Sequence, residues 1–199
     1  MPTGVSDSFS FDPRTALVVV DVQNDFADPR GNLYVAGGER VVGVINELVG
    51  RARAADALVV YTQDWHPEQT PHFRDQGGTW PVHCVRDTWG AELLPELRVD
   101  GPIIKKGTGG EDGYSGFSVR DARTGATTRT VLDALLTRHQ IEKVVVVGLA
   151  EDVCVKETAL DAGRLGYETF VLREATRPVD PANAERGRRE LAAAGVHLS

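Results

Sequence analysis

The chain of 199 residues is long enough for one domain with a substantial core and too long for a disulfide-stapled miniprotein. Apolar residues at 41% and charged residues at 26% exclude global disorder, and 21 Gly with 10 Pro exclude a collagen-like repeat. Against 22 Lys plus Arg stand 29 Asp plus Glu, a formal net charge of -7, so neither nucleic acid nor an anionic membrane is an expected partner.

The run Ala16-Leu-Val-Val-Val20 is continuous, apolar and β-branched, and predicts a strand buried on both faces that ends at Asp21. Ala57-Leu-Val-Val-Tyr-Thr62 repeats the pattern. Between them Val41, Ile45, Leu48, Val49 and Ala52 recur at three- and four-residue spacing, which predicts a helix over residues 39–54 with one apolar face. A strand at 102–105, a helix at 131–136, a strong strand at 143–148 and a helix at 152–165 follow. A strand at 168–172, a helix at 181–194 opened by Pro181 and an edge strand at 196–198 complete the pattern. Continuously apolar strands joined by helices predict a mostly parallel, doubly wound sheet covered on both faces. The expected architecture is three-layer α/β/α, Rossmann-like, in one domain over residues 1–199. Residues 1–13, polar with Pro and Gly, are expected to form a loose arm, and residues 65–102 are too long for an ordinary loop, so that insertion is expected to be functional.

Ligands of an open α/β sheet bind outside the carboxyl ends of the strands. Asp21 follows the first strand, Asp64 and His66 the second, Lys105-Lys106 ends the third, and Gly148-Leu-Ala-Glu-Asp leads from the fourth to Cys154. With Asp152 as helix cap, Cys154 would stand in the first helical turn, where N–H groups and the dipole favour thiolate. A nucleophilic thiol needs a base. No histidine follows the other strands where a Cys-His pair would want it, so Asp21 is the candidate, and Lys106 nearby would lower the thiol pKa. The residues suggest a Cys154, Asp21, Lys106 triad, against plainer readings as a buried small residue, a turn aspartate and a solvated lysine.

Asp64-Trp-His66 sets two ligand-type side chains on one side of an extended chain, and His72 and His83 follow in the insertion. Asp, His and His with water suit one divalent Zn, Fe or Mn ion in an open site, with hydrogen bonding or surface exposure as the alternative role. Cys84 lies in the insertion and not at a helix start, which favours a structural role over that of ligand or second thiol. Gly107-Thr-Gly109-Gly110 lacks the third glycine of a dinucleotide loop, and neither a P-loop nor a Gly-x-Ser-x-Gly elbow occurs.

Five motifs recur together and in order: Val20-Asp21-Val-Gln-Asn-Asp-Phe26; Asp64-Trp-His66-Pro67; Trp80-Pro-Val-His83-Cys84-Val85; Lys106-Gly-Thr with Tyr114-Ser-Gly-Phe117; and Gly148-Leu-Ala-Glu-Asp-Val-Cys154-Val. The set resembles the nicotinamidase branch of the isochorismatase-like cysteine hydrolases over nearly the whole chain. That resemblance implies Asp21 as general base, Cys154 as nucleophile and Lys106 as third member of the triad. It implies a metal on Asp64, His66 and His83, zinc foremost, with His72 a ligand in some relatives only. Phe26 and Trp80 would sandwich a pyridine ring and Tyr114 would line the same pocket. Backbone N–H groups of Ala150 and Cys154 would form the oxyanion hole, next to a cis Leu149–Ala150 bond. The implied reaction is hydrolysis of nicotinamide, and of pyrazinamide, through a thioester, in pyridine-nucleotide salvage and NAD biosynthesis.

One departure stands out: the resembling proteins usually carry Thr, an acid and an aromatic or His before the nucleophile, and here the run is Glu151-Asp152-Val153. A smaller, apolar Val153 would widen or dry one wall and shift the preferred amide. The alternatives are a related amidohydrolase for a bulkier amide or lactam, and a catalytically silent α/β binding module. Two cysteines without a Cys-x-x-Cys motif, no signal-like start and apolar runs far below the ~20 residues of a membrane helix predict a cytoplasmic protein acting on a small molecule. A homo-oligomer stays open.

Overall fold

A computed structural model describes residues 9–199. Its elements alternate as the sequence pattern requires. Strand β1 (Thr15–Val20) leads through a short helix α1 (Asn24–Ala27) to helix α2 (Val41–Ala54) and strand β2 (Leu58–Asp64). After the long insertion come β3 (Ile103–Lys106), a hairpin of β4 (Ser118–Arg120) and β5 (Thr127–Arg129), and helix α3 (Leu132–Arg138). The chain closes with β6 (Lys143–Leu149), α4 (Lys156–Arg164), β7 (Glu168–Arg177), α5 (Pro181–Ala193) and β8 (His197–Leu198).

Six strands pair in the order β3-β2-β1-β6-β7-β8, every pairing parallel. The chain starts in the middle, winds outward one way, and returns to β6 beside β1, so a crevice opens between those two carboxyl ends. Alternate residues of the strands feed two cores. Leu17, Val19, Val145 and Val147 pack with α2, whereas Ala16, Val18, Val144 and Val146 pack with residues of α3, α4 and α5. Burial on both faces is why these strands are written as unbroken apolar runs, since each residue of β1 is buried.

Four helices stop by the same device. The N–H two residues past the cap reaches back to the third-last helical carbonyl: Ala57 to Ala52, Ile141 to Leu136, Tyr167 to Ala162 and Val196 to Leu191. The intervening residues Asp56, Gln140, Gly166 and Gly195 all take positive φ, as that motif demands. Another glycine is required where β6 meets β1: Gly148 has φ +109°, and a Cβ there would stand 2.1 Å from the Val20 carbonyl oxygen.

Two expectations need correction. Residues 1–8 of the expected loose arm lie outside the described residues, and residues 9–13 are not loose: Phe9 and Phe11 are buried, meet edge to face, and Phe9 also packs on Phe170. Two aromatic rings give this polar stretch enough apolar area to dock. The helix expected from residue 152 begins as α4 at Lys156, preceded by a π-helical turn over Glu151–Val155. The hairpin β4–β5, half-buried at Ser118 and Val119 and otherwise exposed, carries no apolar alternation that predicts a strand. The insertion of residues 65–102 folds as loops with short 3₁₀ turns and lies against the carboxyl end of the sheet, where His66 N–H bonds to the Cys84 carbonyl. Among the described residues no helix is long and apolar enough to cross a membrane.

Candidate active site

Parallel topology brings the ends of β1, β2, β3 and β6 to one edge of the sheet, and with them Asp21, Asp64, Lys106 and Cys154. Asp21 turns the chain out of β1 through left-handed backbone, φ +49°, which Asp tolerates better than most residues. Its carboxylate accepts from Thr62 Oγ1 at 2.7 Å and from Lys106 Nζ at 2.7 Å. The same ammonium donates to Asp64 Oδ1 at 2.5 Å and to the Gly113 carbonyl, and lies 4.0 Å from Cys154 Sγ. One oxygen each of Asp21 and Asp64 and the Cys154 sulfur all fall within 4.8 Å of one another. Lys105, the preceding residue, points to the opposite side and stands over the Trp65 ring at 3.4 Å.

Burial governs the electrostatics. It raises Asp21 to about 6 despite Lys106. Asp64 is equally buried, but Lys106 holds its carboxylate far below the usual range. Burial opposes the Lys106 charge as well, yet the two carboxylates keep its pKa well above that of an ordinary lysine. For Cys154, burial outweighs Lys106 and pushes the thiol well above its usual value. This corrects the expected thiolate: the ammonium is spent on two carboxylates, and the resting sulfur is a protonated thiol next to a potential base.

Beside Asp64 three imidazoles converge. His66, His72 and His83 each present one nitrogen within 4.8 Å of the others. Asp64 Oδ2 lies 3.7 Å from His66 Nε2 and 3.9 Å from His83 Nε2. His83 Nδ1 donates to the Pro81 carbonyl at 2.7 Å and His72 Nδ1 to Asp112 Oδ1 at 2.6 Å, which leaves the Nε2 lone pair of each ring free. Burial lowers the pKa of His72, and that of His83 to about 4, so both rings are neutral donors near pH 7. His66 is wholly buried and neither of its ring nitrogens has a hydrogen-bond partner. A buried orphan of that kind fits an ion. Gly107 makes the cradle, since a Cβ there would stand 2.5 Å from His66 Cε1. The donor set of one carboxylate and three imidazoles suits a divalent transition metal in an open site.

Cys154, Asp64, His72 and His83 face one apolar cavity. Phe26, Trp80 and Tyr114, the three expected wall residues, line it, with Leu33, Val35, Leu149, Val153 and Val179. Trp80 Nε1 donates to the Tyr114 hydroxyl at 2.9 Å and ties two walls together. The Leu149–Ala150 peptide bond is cis, as the resemblance implies, and Ala150 caps the turn that carries Cys154. Asp152 does not cap that turn. Its carboxylate accepts instead from the N–H groups of Val179 and Asp180, at 2.8 and 3.0 Å. Cys84 is buried with no disulfide and its N–H donates to Asp25 Oδ2 at 2.7 Å, a structural place, as expected.

Residues 15–199 match the family described as Isochorismatase domain. The chain belongs to the isochorismatase family. It is 38% identical to the nicotinamidase/pyrazinamidase of Mycobacterium tuberculosis over 191 residues, 92% of this chain and 97% of that one. Among solved structures it is similar to the pyrazinamidase of Pyrococcus horikoshii in complex with zinc, at 38% identity and a TM-score of 0.84, covering 94% of this chain and 99% of that chain. It is also similar to PnC1 from L. infantum in complex with nicotinate, at 35% identity and a TM-score of 0.86, covering 96% of this chain and 95% of that chain.

In this isochorismatase-family chain polar residues without a motif role of their own hold the site. Gln23 accepts from the Asp64 N–H and donates to the Asp64 carbonyl, both at 2.8 Å, so it fixes the backbone of that residue. Thr62 and Asp112 orient Asp21 and His72 in the same manner. Gln23 lies inside the motif Val20–Phe26, a usable signal, whereas nothing near Asp112 in sequence points to a histidine 40 residues away.

Proposed function

We propose that this isochorismatase-family protein is a metal-containing cysteine amidohydrolase that converts nicotinamide to nicotinate and ammonia, and acts on pyrazinamide likewise. The observation that carries the reading is the thiol of Cys154 within 4.8 Å of the Asp21 carboxylate, opening on a cavity walled by Phe26, Trp80 and Tyr114. A flat heteroaromatic ring fits such walls, and the likeness to the M. tuberculosis and L. infantum proteins supports the same substrate class.

Asp21 takes the proton of Cys154, and the thiolate attacks the carboxamide carbon. Backbone N–H groups of Ala150 and Cys154 hold the oxyanion. Asp21 then gives its proton to the departing nitrogen, and the C–N bond breaks to release ammonia and leave a thioester. Water, deprotonated by Asp21, attacks that carbonyl; nicotinate leaves and the sulfur takes the proton back. Lys106 keeps its charge throughout and holds Asp21 in place. Asp64, His66 and His83, with His72, would hold one divalent ion, zinc by analogy with the P. horikoshii protein, and such an ion offers a Lewis-acidic anchor for a ring nitrogen. Two unpaired cysteines support a reducing, cytoplasmic setting, and the product suits pyridine-nucleotide salvage.

The test is ammonia release from nicotinamide by the purified protein, beside Cys154→Ala and a chelator-treated sample. We expect turnover in the untreated protein, loss of at least a thousandfold in the variant, and loss on chelation that zinc restores. Metal-replete protein that releases no ammonia from any pyridine carboxamide would overturn the reading.

A further inference from the structure

The turn Glu151–Val155 carries Cys154 and, on the reading above, donates to the oxyanion, yet its first two side chains are held from behind by another part of the fold. Glu151 is only 3% exposed and takes no part in the triad. Arg188 of α5 grips both its oxygens, Nε to Oε1 at 2.6 Å and Nη2 to Oε2 at 3.1 Å. This is the planar fork geometry that an arginine imposes on a carboxylate. The next residue, Asp152, receives the N–H groups of Val179 and Asp180 from the segment that opens α5. Gly187 lets the helix come close, since a Cβ there would stand 3.2 Å from Lys156 Cδ at the start of α4. Consecutive residues of the turn are thus fixed by four hydrogen bonds, two to Arg188 of α5 and two to the residues just before that helix.

Taking the Glu151 carboxylate out of water against a half-buried guanidinium usually stabilises a fold less than apolar packing of the same volume would, so the pair calls for a reason beyond stability. Its position supplies one. Glu151 is bonded directly to Ala150, and Cys154 follows three residues later, so any slack in Glu151 moves an oxyanion donor and the nucleophile relative to each other. A shift of about 1 Å in such a constellation costs on the order of a hundredfold in rate. We infer that Arg188 is a positioning residue for the reaction: through Glu151 it sets the turn that carries Cys154, without touching substrate. The inference rests on the cysteine-hydrolase reading, and Glu151 stands where the resembling proteins usually have Thr.

The experiment compares Arg188→Ala, Arg188→Lys, Glu151→Gln and the double variant Arg188→Ala with Glu151→Gln. Melting temperature, kcat and KM for nicotinamide, and amide hydrogen exchange over residues 150–155 are measured on each. Arg188→Ala should lower kcat at least tenfold with KM within twofold, and Arg188→Lys should recover part of it. The double variant lacks an unpaired buried charge, so it should regain melting temperature and keep the low kcat. Exchange over residues 150–155 should speed up at least tenfold in both alanine variants, with β6 unchanged. Should Arg188→Ala fail to fold, Arg188→Lys and Glu151→Gln carry the same comparison. Recovery of kcat together with melting temperature in the double variant would overturn the inference, as would unchanged exchange in the turn. A wild-type protein that releases no ammonia would sink the nicotinamide reading instead, and the exchange measurement would then decide the clamp alone.

Discussion

Lys106→Met removes the ammonium that holds Asp21 at 2.7 Å and Asp64 at 2.5 Å in a buried site, and replaces it with an apolar side chain of similar length. The two carboxylates, with oxygens no more than 4.8 Å apart, then face each other without a counter-charge. With both ionised, their repulsion at an effective dielectric of about 20 is about 3.5 kcal/mol, which protonation of Asp21 relieves at lower pH. Breaking a buried pair by removing one partner costs about 3–5 kcal/mol, so both routes give the same scale. Urea unfolding should show that loss directly, as a midpoint lower by about 2 M for a slope near 2 kcal/mol/M. The loss should also depend on pH. Asp21 sits at about 6 in the wild type partly because Lys106 pulls it down, and in the variant it rises further. A carboxyl raised in the fold keeps its proton where the unfolded chain has lost it, so stability falls as pH climbs from about 3.9 to the native value. The wild type stops losing stability near pH 6 while the variant continues, which makes the deficit larger at about pH 8 than at about pH 5.5. A deficit below about 1 kcal/mol, or one equal at both pH values, would refute the argued role of the ammonium.

Three further outcomes follow from the same geometry. With Asp21 as base at about 6, kcat/KM for nicotinamide should rise with pH through that value and level off above it; a flat profile between about pH 4.5 and 8 would exclude Asp21. Asp112→Ala removes the acceptor 2.6 Å from His72 Nδ1 and should weaken zinc binding about 10- to 100-fold in competition with a chelator, an effect absent if His72 is no ligand. Gly148→Ala should unfold the protein or cost more than about 4 kcal/mol, because its Cβ would stand 2.1 Å from the Val20 carbonyl oxygen; a variant with wild-type urea midpoint would contradict the packing of β1 on β6.

Most of the fold was legible because its physics is local. Strands buried on both faces must be apolar at every position, and α2 must repeat its buried residues every three or four, so both periods are written in the residues themselves. What escaped had no such signature. The hairpin β4–β5 is mostly exposed, the docking of Phe9 and Phe11 depends on a distant Phe170, and the turn before α4 is π-helical where residue pattern alone reads α-helix.

The site divides along the same line. Sequence by itself determined which chemical groups are present and that they follow strands, and in a parallel sheet every strand ends on the same edge, so Asp21, Asp64, Lys106 and Cys154 had to be neighbours. Only the tertiary structure decided their charge states and aim. Desolvation depends on everything packed around a group, and here it keeps Cys154 a thiol and leaves His72 and His83 neutral. Aim depends on partners far away along the chain: Asp112 for His72, Gln23 for Asp64, Arg188 for Glu151. Such pairings obey no spacing rule, because hydrogen bonds between distant segments exist only once the hydrophobic core has brought those segments together.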